Sequence, residues 1–331
     1  MKSFLQTKEW ADFKVNQGWQ ADKIDDIFVL GRNLFLGRSF LYVPEVEWTS
    51  VENLDNYLPK IKELAQKNNA IFTRLEILDK IDEEIINKLK ENGFIKSFEE
   101  LQPEYRQIID LTPSEEEIFA QMKEKGRYNI RVAQKHNIVI EKSDPSTSLG
   151  VNEFYQLFRE TAKRDGFEIR PQKYFDDLLK ILGPEKSELL LAKYQGQVLA
   201  AAIIIYYEQT ATYLYGASSS TDRQVMAPYL LHFQAMKNAK ERGCRAYDLL
   251  AVAPELANSE QPTANSQQQD SKNQSAVSRE PKAESHHKYA GISRFKRQFG
   301  GKTEQIVGSY DLVYQPFWYK MFKIAEKYRR R

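Results

Sequence analysis

Cysteine is almost missing from this chain: Cys244 is the single one in 331 residues. That excludes an internal disulfide framework and a cysteine-built zinc site, and it fits a reducing compartment, so a cytoplasmic location is expected. A lone cysteine beside a strand reads as a small buried apolar residue. Long apolar runs are lacking too. The longest, LAAAIIIYY from Leu199 to Tyr207, falls short of the roughly 18 residues that a membrane-spanning helix needs and reads as a buried central strand. The opening MKSFLQTKEWADFK breaks its apolar residues with charged and polar ones, so neither a signal peptide nor a span is drawn there. There is no Walker loop, dinucleotide-binding glycine fingerprint, nucleophile elbow or HExxH helix. His286 and His287 are adjacent, but nothing nearby completes a metal site, and no metal is expected. A strongly basic total is lacking as well: the net charge is +2, so bulk charge does not announce nucleic acid.

What is present is enough apolar residue for two cores, since one ordinary domain takes roughly 100 to 200 residues. Helical and extended patterns alternate in the first half. Trp10, Phe13 and Lys14 lie on an opening helix, IFVLGR and FLGRSFLYVP read as strands, Val51 to Asn69 as a helix, AIFTRLEI as a strand, and IINKLKENGF as a helix stopped at Gly93. An extended stretch then reaches YRQIIDL. The second half repeats this grammar with helices Asn152 to Arg164 and Gln172 to Leu182, consecutive strands turning at Gln195 and Gly196, and a helix YLLHFQAMKNAKERG feeding the strand RAYDLLAV. Helix, terminal glycine, strand recurs as KLKENGF and NAKERGCRAYDLL, which suggests two copies of one α/β unit. Between the halves, EEEIFAQMKEKGRYNIRVAQKHNIVIEK reads as one helix carrying Lys123, Lys125, Arg127, Arg131 and Lys135. It is either a solvated charged face or a surface for a ligand with many negative charges. Residues 254–287 turn to Ser, Gln, Asn, Ala and Pro with almost no aliphatic residue, a composition expected to stay a disordered loop. The closing FWYKMFKIAEKYRRR puts Trp318, Phe322 and Ala325 on one side of a docking helix with a basic tail; packing is favoured there over contact with an anionic membrane face.

Three segments hold chemistry-bearing residues at loops and strand ends. In EIRPQKYF, Pro171 biases Arg170 to an extended conformation at a helix start, with Tyr174 one turn later. Such an arginine suits phosphate, or it pairs with Asp176 or Asp177. In YLYGAS, period two puts Tyr213 and Tyr215 on one face, as ordinary cross-strand packing would. In RFKRQFGG, strand alternation puts Phe295 and Lys296 on opposite sides before a turn at Gly300 and Gly301. The amine is a surface lysine or a charge that offsets an oxyanion.

In this order, FLQTKEW, QPEYRQIIDL, KGRYNIRVAQK, RPQKYF, YLYGAS, YDLLAV and AGISRFKRQFGG followed by YDLVYQP resemble the FemABX family, whose members transfer amino acids from aminoacyl-tRNA to peptidoglycan precursors. The resemblance runs over nearly the whole chain. It implies an α/β fold of two tandem GNAT-like domains, here residues 1–144 plus 317–331 and residues 145–316, with the C-terminal helix returning to the first. It implies a monomeric aminoacyltransferase whose acceptor is UDP-MurNAc-pentapeptide or lipid II, and whose chemistry needs no metal or dissociable organic cofactor. For the site it implies a diphosphate held by Lys14 and Arg170, Tyr174 and Tyr215 against the precursor, Phe295 and Lys296 at the aminoacyl-ester end, and Glu76 where a base has been considered, unless that carboxylate only pairs with Arg74. The inter-domain basic residues Lys123, Lys125, Arg127 and Arg131 become the candidate tRNA surface. Two departures stand out: the segment before RPQKYF is too short for the long helical hairpin of some members, and the polar loop replaces a short link. An acetyl-CoA-dependent relative is the main rival, but DRQVMAPYLLHF has Ala-Pro where a glycine-built phosphate loop would sit. A non-enzymatic protein binding RNA or membrane is the other.

Overall fold

The computed structural model describes residues 3–48, 52–143, 148–255 and 288–329; the polar loop lies almost wholly outside them. Helix α1 (Lys8–Asn16) starts where the Thr7 side chain accepts the Trp10 amide. It leads into the antiparallel strands β1 (Gln20–Ile24), β2 (Ile27–Asn33) and β3 (Ser39–Val46). Residues 35–38, expected as part of the third strand, form the hairpin turn instead, with Leu36 and Gly37 both at positive φ. Helix α2 (Glu52–Lys67) crosses to β4 (Ala70–Lys80), which lies parallel to β3, and α3 (Glu83–Glu91) and β5 (Phe94–Lys96) follow. Strand β6 (Tyr105–Asp110) opens the second half, followed by α4 (Glu115–Gln121), α5 (Glu124–Lys135), β7 (Val139–Ser143), α6 (Ser148–Asp165) and α7 (Gln172–Lys186). Strands β8 (Ser187–Tyr194), β9 (Gln197–Tyr207) and β10 (Thr210–Ser218) run antiparallel, and α8 (Ala227–Glu241) crosses to β11 (Ala246–Ala251), parallel to β10. Helix α9 (Ala290–Lys296), strand β12 (Lys302–Val313) and helix α10 (Pro316–Arg329) close the described chain.

The strands join in the order β1-β2-β3-β4-β12-β6-β11-β10-β9-β8-β7, with β5 also on β12. The two parallel pairs, β3 with β4 and β10 with β11, are each joined by one crossover helix, so the mixed α/β fold contains the expected repeat. The copies align differently from the sequence expectation, however. The crossover matching α8 and Gly243 is α2, and it ends at Asn69, whose φ is +47, because asparagine also tolerates the left-handed region. KLKENGF belongs to the following helix, α3. Strand β12 is shared: Lys302 to Gln305 pair with β6, and Ile306 to Val313 pair with β4. Helices α4 and α5, assigned by the boundary at residue 144 to the first unit, pack their Ile118, Met122, Ile130 and Ala133 with α8 in the second.

Helix α7 contains a non-helical Gly183 (φ 70), so its first run stops where the terminal glycine predicts. The expected single basic helix is broken, and its last residues leave the helix at Asn137 (φ 55) for β7; Met122 and Lys123 are extended, and the Lys123 amide donates to Gln298 O at 3.0 Å. That contact brings the start of α5 against RFKRQFGG so closely that a Cβ on Gly126 would lie 2.3 Å from Gln298 O. Gly126→Ala is therefore expected to cost about 1–3 kcal/mol through overpacking against backbone, read as a lower midpoint in urea unfolding at unchanged slope. Helix α10 returns to the first half as implied: Phe322 packs on Phe40, Phe72 and Phe98. Tyr319 and Phe322 form its buried side, while Ala325, expected with them, is exposed. No helix among the described residues is long and apolar enough to cross a membrane.

Candidate functional site

Two groups of the expected residues assemble on opposite faces of β10. A bulge separates them. Tyr213 pairs with Ile204 while Tyr215 pairs with Ile203, so Leu214 is the extra residue and the two tyrosines face opposite ways, not the same way. Tyr215 faces α6 and α7, and Tyr213 faces α8.

On the first face, α1 from the first half packs on α7 from the second. Phe13 meets Tyr174 edge-on at 4.9 Å, and Lys186 pairs with Glu9 at 2.6 Å. The last turn of α1 carries Lys14, whose ammonium lies 4.4 Å from the Trp19 ring centroid. Arg32, at the end of β2, covers the same ring at 5.3 Å. Arg170 lies over Tyr174 at 5.9 Å, and the Tyr174 and Tyr215 hydroxyls are 3.0 Å apart. One of those hydroxyls donates to the other, which leaves one proton for a ligand. Burial raises the pKa of both phenols, so they act as neutral donors. The Lys14 ammonium is pushed down to about 8, first by burial and then by the charges of Arg170 and Arg32. Among the described residues, neither Lys14 nor Arg170 has a carboxylate at ion-pair distance, and the alternative partner Asp177 is occupied by Lys173 at 2.7 Å. Two converging cations, Lys14 and Arg170, that lack such a partner are the arrangement that a multiply charged anion stabilises.

Glu76 lies behind this face. It is 1 % exposed and accepts from the Tyr42 hydroxyl, from Ser309 Oγ at 2.9 Å and from the Gln102 amide at 3.0 Å. Arg74 instead holds Asp311 through two bonds, at 2.7 and 2.8 Å, and Glu99 at 2.7 Å. The proposed Arg74–Glu76 pair is thus absent as a hydrogen bond. With both oxygens occupied, Glu76 has the geometry of a carboxylate that holds Tyr42, whose ring lies 6.3 Å from Trp19.

On the second face, β10 and β11 pair only from Thr210 to Thr212 and from Ala246 to Asp248. Beyond that the strands part, and Leu250 (φ 56) is held by the Asp248 carboxylate accepting its amide at 2.6 Å. RFKRQFGG closes this wedge. It is the helix α9 followed by a short 3-10 turn, not the expected strand, and the turn at Gly300 and Gly301 stands (φ 79 and 77). A Cβ on Gly301 would lie 2.2 Å from Ile108 O, which reserves the position for glycine. Lys296, 4 % exposed, donates to Ala251 O at 2.8 Å and lies 5.8 Å from the Tyr213 ring centroid. Among the described residues Ala251 O is its sole hydrogen-bond acceptor, so two of its N–H groups remain for a ligand. Burial lowers its pKa to about 8, and Asp248 opposes that shift. Phe295 packs on Tyr229 at 5.0 Å and His232 at 5.5 Å. His232, bonded to the Tyr247 hydroxyl at 3.0 Å, is driven by burial and by Lys296 to about 3, so it is neutral near pH 7.

Of the basic inter-domain residues, Lys123, Lys125 and Arg131 are exposed. Arg127 is turned inward to cap α4 through Ala120 O at 3.0 Å and Met122 O. Sequence reasoning missed Arg32, Trp19, Asp248 and His232. A basic residue closing VLGRN and a tryptophan after the turn glycine Gly18 were the available signals for the first two.

A family model described as the FemAB family matches residues 63–195 and 192–327. The lipid II:glycine glycyltransferase of Staphylococcus haemolyticus is 23% identical, covering 96% of this chain and 90% of the relative. The lipid II:glycine glycyltransferase of Staphylococcus epidermidis is 22% identical over 98% of this chain and 91% of its own length. The first alignment runs to 406 positions, longer than this chain, so that relative carries insertions. Among solved structures, the crystal structure of FemX matches with a TM-score of 0.77 at 19% identity, covering 96% of this chain and 94% of that one.

Proposed function

Since this chain belongs to the FemAB family, we propose that it is an aminoacyltransferase that adds an amino acid from aminoacyl-tRNA to the stem-peptide amine of a peptidoglycan precursor. The convergence of Lys14 and Arg170 beside Tyr174 and Trp19, with the charge of Arg32 added from β2, carries this reading, because it matches the diphosphate common to UDP-linked and lipid-linked precursors. Tyr174 and Tyr215 orient the acceptor there. The wedge between β10 and β11 receives the aminoacyl ester. The acceptor amine attacks the ester carbon, a C–N bond forms, the C–O bond to the tRNA ribose breaks, and the amine proton ends on the departing ribose oxygen. Lys296 offsets the charge on the tetrahedral oxyanion, and Phe295 with His232 keeps its surroundings dry and neutral. The ester is already activated, so positioning and charge stabilisation suffice. Lys123, Lys125 and Arg131 present a basic face to the tRNA backbone, while Arg127 supports it by capping α4.

The relatives' action on lipid II favours a lipid-linked acceptor. An acetyl-CoA donor is disfavoured by the start of α8, where Pro228 removes an N–H and Met226 takes the left-handed conformation (φ 57). The test is to incubate the purified protein with mixed charged tRNAs and each precursor and read the added mass. An aminoacyl increment supports the assignment; no increment under any pairing, or calorimetric binding and turnover of acetyl-CoA, overturns it.

A further inference from the structure

Helix α10 buries one side and leaves the opposite side apolar. Phe317, Met321, Ile324 and Tyr328 recur at i, i+4, i+7 and i+11, and Phe317 and Tyr328 are 67% and 71% exposed. A helix that served packing alone would be polar on that side. The apolar stripe continues onto a second element. At the tip of the β2–β3 hairpin, Leu36 is 73% exposed, and Phe35 reaches Trp318 at 5.4 Å. Exposed Lys320 and Lys327 border the stripe on α10, and Arg38 lies over Trp318 at 3.9 Å. Contiguous exposed apolar groups rimmed by cations fit neither bulk water nor an ordinary protein core. They fit the boundary between lipid headgroups and acyl chains.

The position of this patch adds a second argument. Arg32, part of the cation cluster, stands three residues before Phe35 on the same hairpin. From the buried side of α10, Phe322 touches Phe40 at 5.6 Å, Phe40 touches Trp19 at 5.6 Å, and Trp19 carries Lys14. The diphosphate of a lipid-linked precursor lies at headgroup level, where this arrangement would bring the cluster.

We propose that the outer side of α10 and the β2–β3 hairpin tip form a docking surface for an anionic membrane, seating the Lys14, Arg32 and Arg170 cluster at the headgroup layer. The proposal rests on the lipid-linked reading of the acceptor, but its test needs no acceptor. The full chain is floated with vesicles of phosphatidylglycerol mixed with phosphatidylethanolamine, and separately with vesicles of phosphatidylcholine. Binding is expected on the anionic vesicles and weak on the others. Lys320→Glu with Lys327→Glu is expected to weaken it by about thirtyfold or more, the effect of roughly tenfold or less per lysine enlarged by charge reversal, and high salt should erase the difference. Phe317→Ser with Ile324→Ser is expected to weaken binding at any salt, with unchanged circular dichroism. Turnover of a water-soluble acceptor should be unaffected by either pair. Failure of the wild type to float, equal binding to phosphatidylcholine, or a dimer in solution that these substitutions dissolve would overturn the proposal. Flotation without transfer to any acceptor would instead sink the proposed reaction and leave the docking surface standing.

Discussion

Lys296→Met is expected to lower turnover by about a hundredfold to a thousandfold, the usual cost of removing one oxyanion donor, while acceptor affinity stays within a factor of about two. The split follows from the strand between the two groups. Lys296 lies on the Tyr213 face of β10, whereas Arg170 and Tyr174, with Lys14 beside them, lie on the Tyr215 face, and the bulge at Leu214 keeps the two groups apart. The variant should fold, because methionine preserves the stem of a side chain whose charge is costly to bury. A pH profile distinguishes charge from bulk. With its pKa lowered to about 8, Lys296 is cationic below that value and neutral above it, so turnover should fall as pH rises through about 8. A lysine of ordinary pKa would hold its charge to beyond 10. Lys296→Arg, which cannot deprotonate in that range, should abolish the descending limb even if geometry lowers the plateau. Measuring kcat and KM separately for the three proteins decides the matter: a Lys296→Met defect confined to KM would remove the lysine from the chemical step.

Much of this architecture is visible in the chain because its punctuation is local. Gly93, Gly183 and Gly243 all sit at positive φ near the helix ends they predict, and Gln195 with Gly196 takes the left-handed pair of a tight hairpin turn. What stayed hidden is imposed from a distance. The break between α4 and α5 contains no glycine or proline; it exists because the Lys123 amide is drawn to Gln298 O. The bulge at Leu214 reverses the face of Tyr215; its local signal was Gly216, an isolated strand glycine whose Cβ would run into the Tyr213 hydroxyl, and alternation alone overlooks it. RFKRQFGG fits alternation over a few residues, yet Ile292, Phe295 and Phe299 equally fit a helical spacing, and short segments do not decide between the two. The candidate site residues could nevertheless be singled out, because charge near a helix start or a glycine turn is a local signal. Arg32 and Trp19 escaped notice because their meaning depends on Lys14, which only the fold brings to them.

The cluster that these three residues form with Arg170 leads to an expectation of opposite sign for stability and for binding. Lys14→Met should make the ligand-free protein more stable while impairing its use of the acceptor. Lys14 is half-buried among cations, and its pKa is lowered from 10.5 to about 8. Between those values the unfolded chain binds more protons than the folded one, so stability rises with pH through that window and carries its full penalty below about pH 8. Replacing the amine by a thioether that still covers Trp19 removes the penalty. The melting temperature at pH 7 should rise by a few degrees, and its upward drift between pH 8 and 10 should flatten. Inorganic pyrophosphate should raise the melting temperature of the wild type and have little effect on the variant. With acceptor, Lys14→Met and Arg170→Ala should each raise KM about tenfold to a hundredfold, the range for a charge-assisted hydrogen bond of about 1.5–3 kcal/mol. The double variant should lose less than the product of the two, since both cations share one anion. If Lys14→Met melts lower at pH 7, or if pyrophosphate protects it as well as the wild type, the cations are not an anion site waiting for its ligand, and the acceptor must be held elsewhere.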